Sequence, residues 1–175
     1  MNLTLQRNHK VAIKGVNGLG KTTLLKTLLG LLPPFHGMVE VDPYAEVGFF
    51  EQESAASSKT ALEYFWEQFP SYMNQEVRAA LAKCALTSDH IESAICVLSG
   101  GEQAKVRLAV IMNRPCNVLV LDEPTNHLDI DAKEELKRAL KEYKGTVLLV
   151  SHDPSFYMDI VDDVWDLEQW TTKIL

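Results

Sequence analysis

One short stretch constrains this chain more than any other feature of the sequence. Residues 15–23 read Gly-Val-Asn-Gly-Leu-Gly-Lys-Thr-Thr and fit the pattern G-x-x-x-x-G-K-[ST]. Glycines lack the Cβ atom that keeps a backbone away from an anion, so several N–H groups can surround one phosphate. The lysine adds a positive charge, and the first threonine offers a hydroxyl to Mg²⁺. The stretch predicts a loop that binds nucleotide phosphates through Gly15, Asn17, Gly18, Gly20, Lys21, Thr22 and Thr23.

The segments on either side support this interpretation. Residues 10–14 form a β-prone run, and residues 23–29 are typical of a helix that ends at Gly30. The order is therefore strand, loop, helix, and the positive end of the helix dipole would face the phosphates. A chance match in a glycine-rich turn is the alternative, and the flanking strand and helix argue against it.

Acidic and imidazole side chains follow two further apolar runs. Residues 117–124 are predicted to form a buried strand that ends in Asp122 and Glu123, and its four apolar residues suit a central parallel strand. A second buried strand, predicted at 146–150, precedes His152. Ligands of parallel sheets bind at the carboxyl ends of the strands, so we expect these side chains near the phosphate loop. Adjacent strand residues point to opposite sides, which predicts different roles for the two acids. The alternatives are an ordinary acidic strand end and a structural histidine.

Two adjacent glycines, Gly100 and Gly101, lie at the start of a predicted helix that runs to about residue 113. Ser99 is a suitable N-cap, and Glu102 completes a capping-box pattern. Glycine in a helix costs about 1 kcal/mol relative to alanine. Gly100 and Gly101 are therefore best explained by the close approach of an anion to this helix end.

The remaining segments complete a mostly parallel α/β fold with a short helical lobe. We expect two short strands within residues 37–50 around a turn at Asp42-Pro43, and a final strand at 161–167. Amphipathic patterns predict two lobe helices at residues 59–69 and 74–86. A charged helix is predicted at 131–144, with Gly145 as its C-cap.

Bulk properties exclude several classes of protein. The 175 residues contain no apolar run of the ~20 residues that span a bilayer, and the N-terminus lacks the apolar region of a signal peptide. We therefore expect a cytoplasmic protein with no membrane segment. The net charge of −7 argues against a broad polyanion-binding surface, so no direct DNA binding is expected.

With these motifs in this order, nearly the whole chain resembles an ATP-binding-cassette ATPase domain. The matching segments are the Walker A loop at 15–22, the Q-loop at Gln52, the signature at 98–102, Walker B with its catalytic glutamate at 118–123, the D-loop at 128–129 and the switch histidine His152. Residues 123–129, Glu-Pro-Thr-Asn-His-Leu-Asp, resemble the F subfamily, as does the Ser-His-Asp-x-x-Phe stretch at 151–156. Many relatives have a basic residue where Pro154 stands. Members of the F subfamily lack transmembrane partners and include translation and ribosome-protection factors.

The resemblance implies a P-loop NTPase fold and a role for each motif. ATP and Mg²⁺ are the implied ligands: residues 18–23 would hold the phosphates, and Thr22, Gln52 and Asp122 the metal. The implied catalytic residues are Glu123 as general base, His152 at the γ-phosphate and Gln52 as a sensor of the water. In a head-to-tail sandwich, Ser99, Gly100 and Gly101 would complete the site of a second cassette domain, with Asp129 at the interface. The implied domain spans residues 1–175, with a nucleotide-binding core at 1–52 and 98–170 and a helical lobe at 53–97.

The chain also departs from the family pattern. Relatives carry two cassettes joined by a helical linker, and an aromatic residue upstream of Walker A stacks on adenine, whereas residues 1–14 contain no Phe, Tyr or Trp. The N-terminal β lobe is expected to be truncated. We expect a single C-terminal cassette or fragment whose partner is a second cassette domain, in the parent chain or in a homodimer. The ribosome is a further partner implied by the resemblance alone.

Three alternatives stay open at this point. An ATPase subunit of a transporter would share the catalytic residues, although the Asn126-His127 pair and the short lobe differ from that class. A chromosome- or repair-type ATPase would need a long coiled coil, and no heptad tract occurs. A nucleotide-dependent assembly module that does not hydrolyse ATP is the third alternative, and the presence of Glu123 and His152 argues against it.

Overall fold

The computed structural model describes residues 3–50, 57–126 and 128–169. Strands and helices alternate along the first and last parts of the chain, and the named elements within residues 57–115 are all helical. The elements are β1 Lys10–Lys14, α1 Lys21–Leu28, β2 Val47–Phe50, α2 Ala61–Gln68, α3 Asn74–Lys83, α4 Ser88–Glu92, α5 Gly100–Asn113, β3 Val118–Asp122, α6 Ile130–Glu142, β4 Thr146–Val150, α7 Pro154–Tyr157 and β5 Asp163–Asp166, with 3₁₀ turns at Ile95–Val97 and Leu167–Gln169.

The five strands form one sheet in the order β2-β3-β4-β1-β5. Strand β1 pairs in parallel with β4 and β5, and β3 pairs in parallel with β4. Every residue of β4 is buried, as are the three middle residues of β1. The continuous apolar runs of these strands are what a parallel sheet covered on both faces requires. The predicted α/β fold with a mostly parallel sheet is confirmed.

The chain divides into two compact units. The first comprises the described residues of 1–49, 116–123 and 140–175, and its core joins β1, β3 and β4 to α1 through Val11, Ile13, Leu25, Val120, Leu148 and Val150. The second comprises the described residues of 50–115 and 124–139. Within it α2, α3, α4 and α5 pack together around the fully buried Phe65, Val77, Leu81 and Val106. The division into a nucleotide-binding core and a lobe at 53–97 stays a prediction, because packing alone does not identify the residues that bind a ligand.

Two expected elements are wrong, and the first is a strand before the Asp42-Pro43 turn. The turn forms, with the Ala45 N–H donating to the Asp42 carbonyl at 2.9 Å, but only the strand after it, β2, is present. Met38 and Val41 are 79% and 57% exposed. Their side chains bury too little apolar surface against the described residues to hold a strand in place.

The second wrong element is the C-terminal end of α6. This helix ends at Glu142, and its last carbonyls are satisfied by Lys10, whose Nζ donates to the oxygens of Leu140 at 2.8 Å and Lys141 at 3.0 Å. Gly145 serves a different purpose from the predicted cap. A Cβ atom there would lie 2.7 Å from the carbonyl oxygen of Asn117, so only glycine fits.

We expect Lys10→Met to lower the free energy of unfolding by about 1 kcal/mol, because two helix-end carbonyls lose their donor. Lys144→Met is the matched control, since Lys144 is exposed and follows the same helix. Urea denaturation measures the difference. Equal midpoints for the two variants would show that Lys10 does not stabilise the end of α6.

Candidate functional site

The register of the sheet brings three chain segments to one edge of the first unit. Ile13 and Asp122 both lie opposite Val150, one on each side of β4. Beyond this level the Ser151 N–H donates to the Ile13 carbonyl at 3.3 Å, and the Glu123 N–H to the Val150 carbonyl at 3.0 Å. The glycine loop, the acidic turn and the histidine turn therefore start side by side, as expected for the carboxyl ends of parallel strands.

The loop between β1 and α1 has the backbone of an anion cradle. Gly18 and Gly20 adopt left-handed conformations, with φ of 82° and 89°, which residues with a Cβ atom rarely adopt. No side chain among the described residues caps α1, so the N–H groups of its first turn are available to a ligand. Asn17, Thr22 and Thr23 are exposed around this opening. Together these features favour an anion at the start of α1.

Lys21 is the buried cation of this loop, with only 7% of its surface exposed. Its Nζ donates to the carbonyl of Gly15 at 2.8 Å and more weakly to that of Val16 at 3.4 Å. The same Nζ lies 3.8 Å from Oε1 of Glu123. The ammonium thus links the glycine loop to the acidic turn after β3.

Asp122 and Thr22 form an oxygen-rich pair at the end of β3. The Thr22 hydroxyl donates to Oδ2 of Asp122 at 2.8 Å, and Asp122 is only 1% exposed. The other oxygen, Oδ1, is buried and has no hydrogen-bond partner among the described residues. An unsatisfied buried carboxylate oxygen is costly, and a cation would satisfy it. Carboxylate and hydroxyl oxygens are the ligands that Mg²⁺ prefers, so these two residues fit that ion.

Glu123 has contacts quite different from those of its neighbour. Its Oε2 lies 2.8 Å from Nδ1 of His152, and because an ionised carboxylate only accepts, we assign the proton to Nδ1. The prediction that β3 continues through both acids is wrong, since the strand ends at Asp122. Glu123 follows in a left-handed conformation with φ of 46°. This turn, rather than the alternation of a strand, directs the second carboxylate toward Lys21 and His152.

In the second unit, Ser99 and Glu102 form the predicted capping box at the start of α5. The Glu102 N–H donates to the Ser99 hydroxyl at 3.3 Å, and the Ser99 N–H donates to Oε2 of Glu102 at 2.8 Å. The hydrogen bond from the Ser99 N–H is the main reason that the pKa of Glu102 lies below its ordinary value. His90 supports Glu102 from α4, because its Nδ1 accepts from the Thr87 N–H and its Nε2 therefore donates to Oε1 of Glu102 at 3.2 Å.

Asp129 is the N-cap of α6. Its Oδ1 accepts from the Ala132 N–H at 2.8 Å, its carbonyl accepts from the Lys133 N–H at 3.0 Å, and its Oδ2 accepts from Nζ of Lys105 at 2.9 Å. The Lys105 hydrogen bond, and then the Ala132 N–H, hold the pKa of the Asp129 carboxyl below its ordinary value.

The predicted site residues thus fall into three groups. The structure brings the glycine loop, Lys21, Thr22, Asp122, Glu123 and His152 together in the first unit. Ser99, Gly100, Gly101 and Asp129 lie in the second unit. Gln52 lies outside the described residues.

Sequence reasoning missed the contacts of His90 and Lys105. The lysine carried a usable signal, because it precedes Leu108 and Ala109 by three and four residues and so shares the apolar stripe of α5. A lysine on a buried stripe needs a carboxylate partner. His90 carried no comparable signal, since it lies in a helix that the sequence analysis did not predict.

We expect NMR titration to find the pKa of Asp129 below the ordinary aspartate value, and Lys105→Met to raise it, because the charged donor is removed. The depressed pKa stabilises the fold at neutral pH, and this contribution disappears as the pH falls through the lowered pKa. Lys83→Met is the control, since Lys83 is exposed at the end of α3. A titration of Asp129 unchanged by Lys105→Met would contradict the assigned ion pair.

The described residues contain neither a membrane-spanning helix nor a multi-residue metal cluster. In residues 3–50, 57–126 and 128–169, no helix combines the length and the apolar character that crossing a bilayer demands. The same ranges hold no cluster of three or more His, Cys, Asp or Glu side chains that could bind a metal ion. The Thr22 and Asp122 pair is smaller than such a cluster.

A family model and several known proteins match this chain. The family model described as ABC transporter matches residues 1–126. The ABC transporter ATP-binding protein YfmM of Bacillus subtilis is 59% identical over 100% of this chain and 34% of its own length. ABC transporter F family member 2 of Arabidopsis thaliana is 42% identical over 93% of this chain and 25% of its own length. The chain thus spans about a third of the first relative's length and a quarter of the second's.

Among solved structures, the complex of the archaeal ribosomal stalk protein aP1 with the archaeal ribosome recycling factor aABCE1 contains a similar fold. The matching chain has a TM-score of 0.76 and 26% identity. The match covers 93% of this chain and 32% of that one.

Proposed function

Because the chain belongs to the ATP-binding-cassette family, whose domains bind ATP, we propose that it binds ATP with Mg²⁺ and hydrolyses the bond between the β- and γ-phosphates. The observation that carries the proposal is that the Glu123 carboxylate contacts both the Lys21 ammonium and the His152 imidazole beside the glycine loop. Glu123 lies within 3.8 Å of Lys21 Nζ and 2.8 Å of His152 Nδ1. A base, a phosphate-binding cation and an imidazole thus share one small volume.

Phosphate binding is assigned to the loop and the first turn of α1. The backbone N–H groups of residues 18–23 would donate to the phosphate oxygens, which the left-handed Gly18 and Gly20 permit. Lys21 would exchange its carbonyl partners for the terminal phosphates. Its ammonium is already desolvated, so charge stabilisation there is stronger than in water.

Thr22 and Asp122 are the residues assigned to Mg²⁺, with Gln52 as a further ligand by family resemblance. Bound there, the ion would neutralise charge on the phosphate oxygens. Asp122 is held by the Thr22 hydroxyl, so its unsatisfied Oδ1 has a fixed position. That fixed position is the chain's own contribution to the metal site.

Hydrolysis is assigned to Glu123 and His152. The oxygen of a water molecule attacks the γ-phosphorus, the bond to the bridging oxygen breaks, and ADP and phosphate are released. Glu123 would orient this water and take up its proton, as general base. His152 would hold the carboxylate through Nδ1 and contact the γ-phosphate.

We assign completion of the site to a second cassette domain, in the parent chain or in a homodimer. At the N-terminus of α5, a helix of 14 residues, lie the hydroxyl of Ser99 and the amides of Gly100 and Gly101. The positive end of a helix dipole is a suitable partner for a γ-phosphate. Asp129 would lie at the interface. This head-to-tail arrangement follows from the family resemblance, and the exposed position of Gly100 is compatible with it.

We also propose that the chain is part of a cytoplasmic, ribosome-associated protein of the F subfamily. Support comes from the similarity to the Arabidopsis F family member and to a chain in the complex of a ribosomal stalk protein with a ribosome recycling factor. The Glu-Pro-Thr-Asn-His-Leu-Asp stretch at 123–129 is the sequence feature behind the assignment.

Replacement of the general base tests the assigned chemistry. We expect Glu123→Gln to retain ATP binding and to lower kcat by about 10²–10⁴-fold, because the amide cannot accept the proton of water. Phosphate release and isothermal titration with MgATP measure the two effects. Glu134→Gln, an exposed change on α6, is the matched control and should leave both unchanged. A Glu123→Gln variant with full turnover would refute the role of Glu123.

Dependence on pairing gives a second test. We expect the specific activity to rise steeply with protein concentration, since one chain supplies only half of each sandwich site. The measurement is the initial rate of phosphate release per chain across a dilution series. Full turnover at high dilution by a species that sediments as a monomer would refute the sandwich.

A further inference from the structure

Lys105 is a buried cation on the helix that begins with the signature residues. It is 8% exposed and lies in the second turn of α5. Its Nζ donates to Oδ2 of Asp129 at 2.9 Å. A buried ammonium without a partner is strongly unfavourable, so this carboxylate is required where it stands.

Asp129 is held at both oxygens although most of its side chain faces solvent. Oδ1 caps α6 through Ala132 and Oδ2 accepts from Lys105, while 61% of the side chain is exposed. The cap alone would leave Oδ2 unconstrained. The second hydrogen bond, made from the buried side, restricts the side chain to one orientation at the surface.

The geometry points to Lys105 as a positioning residue that orients Asp129 for contact with a second cassette domain. This inference rests on the proposed function, in which Asp129 lies at the interface. A purely structural role is a poorer explanation, because a buried apolar side chain of similar size often stabilises a fold as well as an ion pair does. What the pair adds is a defined direction for an exposed carboxylate.

The experiment compares the variants Lys105→Met, Lys105→Arg, Asp129→Asn and the double variant Lys105→Met/Asp129→Asn. Lys83→Met is the matched control, because it makes the same change at an exposed position of the same unit. Initial rates of ATP hydrolysis across ATP concentrations give kcat and KM, and thermal unfolding gives Tm. Methionine replaces the buried stem with little change in volume, so the fold should persist.

We expect Lys105→Met to lower kcat by roughly tenfold, the change produced by losing one oriented charged contact of about 1.4 kcal/mol. The KM for ATP should stay within about twofold, since the phosphate loop is untouched, and Lys105→Arg should restore most of the rate. The double variant should be no slower than the slower single variant, because both changes remove the same contact. Lys83→Met should match the wild type.

Other outcomes overturn the inference. These are an unchanged kcat for Lys105→Met, losses that add fully in the double variant, or a loss that tracks Tm and is not restored by arginine. If Lys105→Met fails to fold, Lys105→Gln replaces it under the same criteria. A wild-type chain that binds but never hydrolyses ATP would refute the proposed function, whereas an active wild type with an equally active Lys105→Met refutes only the role of Lys105.

Discussion

The candidate site depends on the pairing of three parallel strands in one register. Val150 lies between Ile13 and Asp122, so the chain leaves β1, β3 and β4 at the same level. A shift of one residue in any strand would move each of its side chains to the opposite face of the sheet, so the closely packed core on both faces would have to repack. The hydrophobic core thus determines where the polar site forms.

The two neighbouring acids at the end of β3 have different contacts because the backbone conformation changes between them. Asp122 ends the strand and turns to Thr22, while the left-handed Glu123 turns to Lys21 and His152. A non-glycine residue in this conformation costs of order 1–3 kcal/mol, and such strain occurs often at functional sites. The contacts of Glu123 with a lysine and a histidine explain how the conformation persists.

In the second unit, the N-terminal ends of two helices hold polar groups in defined orientations. Ser99 and Asp129 each cap a helix, and each capping group is held by a further residue, Glu102 in one case and Lys105 in the other. Caps of this kind orient polar groups at low cost, because the helix needs a hydrogen-bond acceptor at that position in any case. The proposed contacts with a second cassette would use groups that the fold already holds in place.

By itself, the sequence determined the phosphate loop, the buried strands and the capping box at Ser99. These depend on local spacing, on glycine conformations and on apolar periodicity, all of which can be read along the chain. Tertiary structure alone decided which donor ends α6, why Gly145 is glycine, how Glu123 turns, and that Lys105 meets Asp129. Each of these joins residues distant in sequence or depends on space left by a neighbour, and no local pattern contains that information.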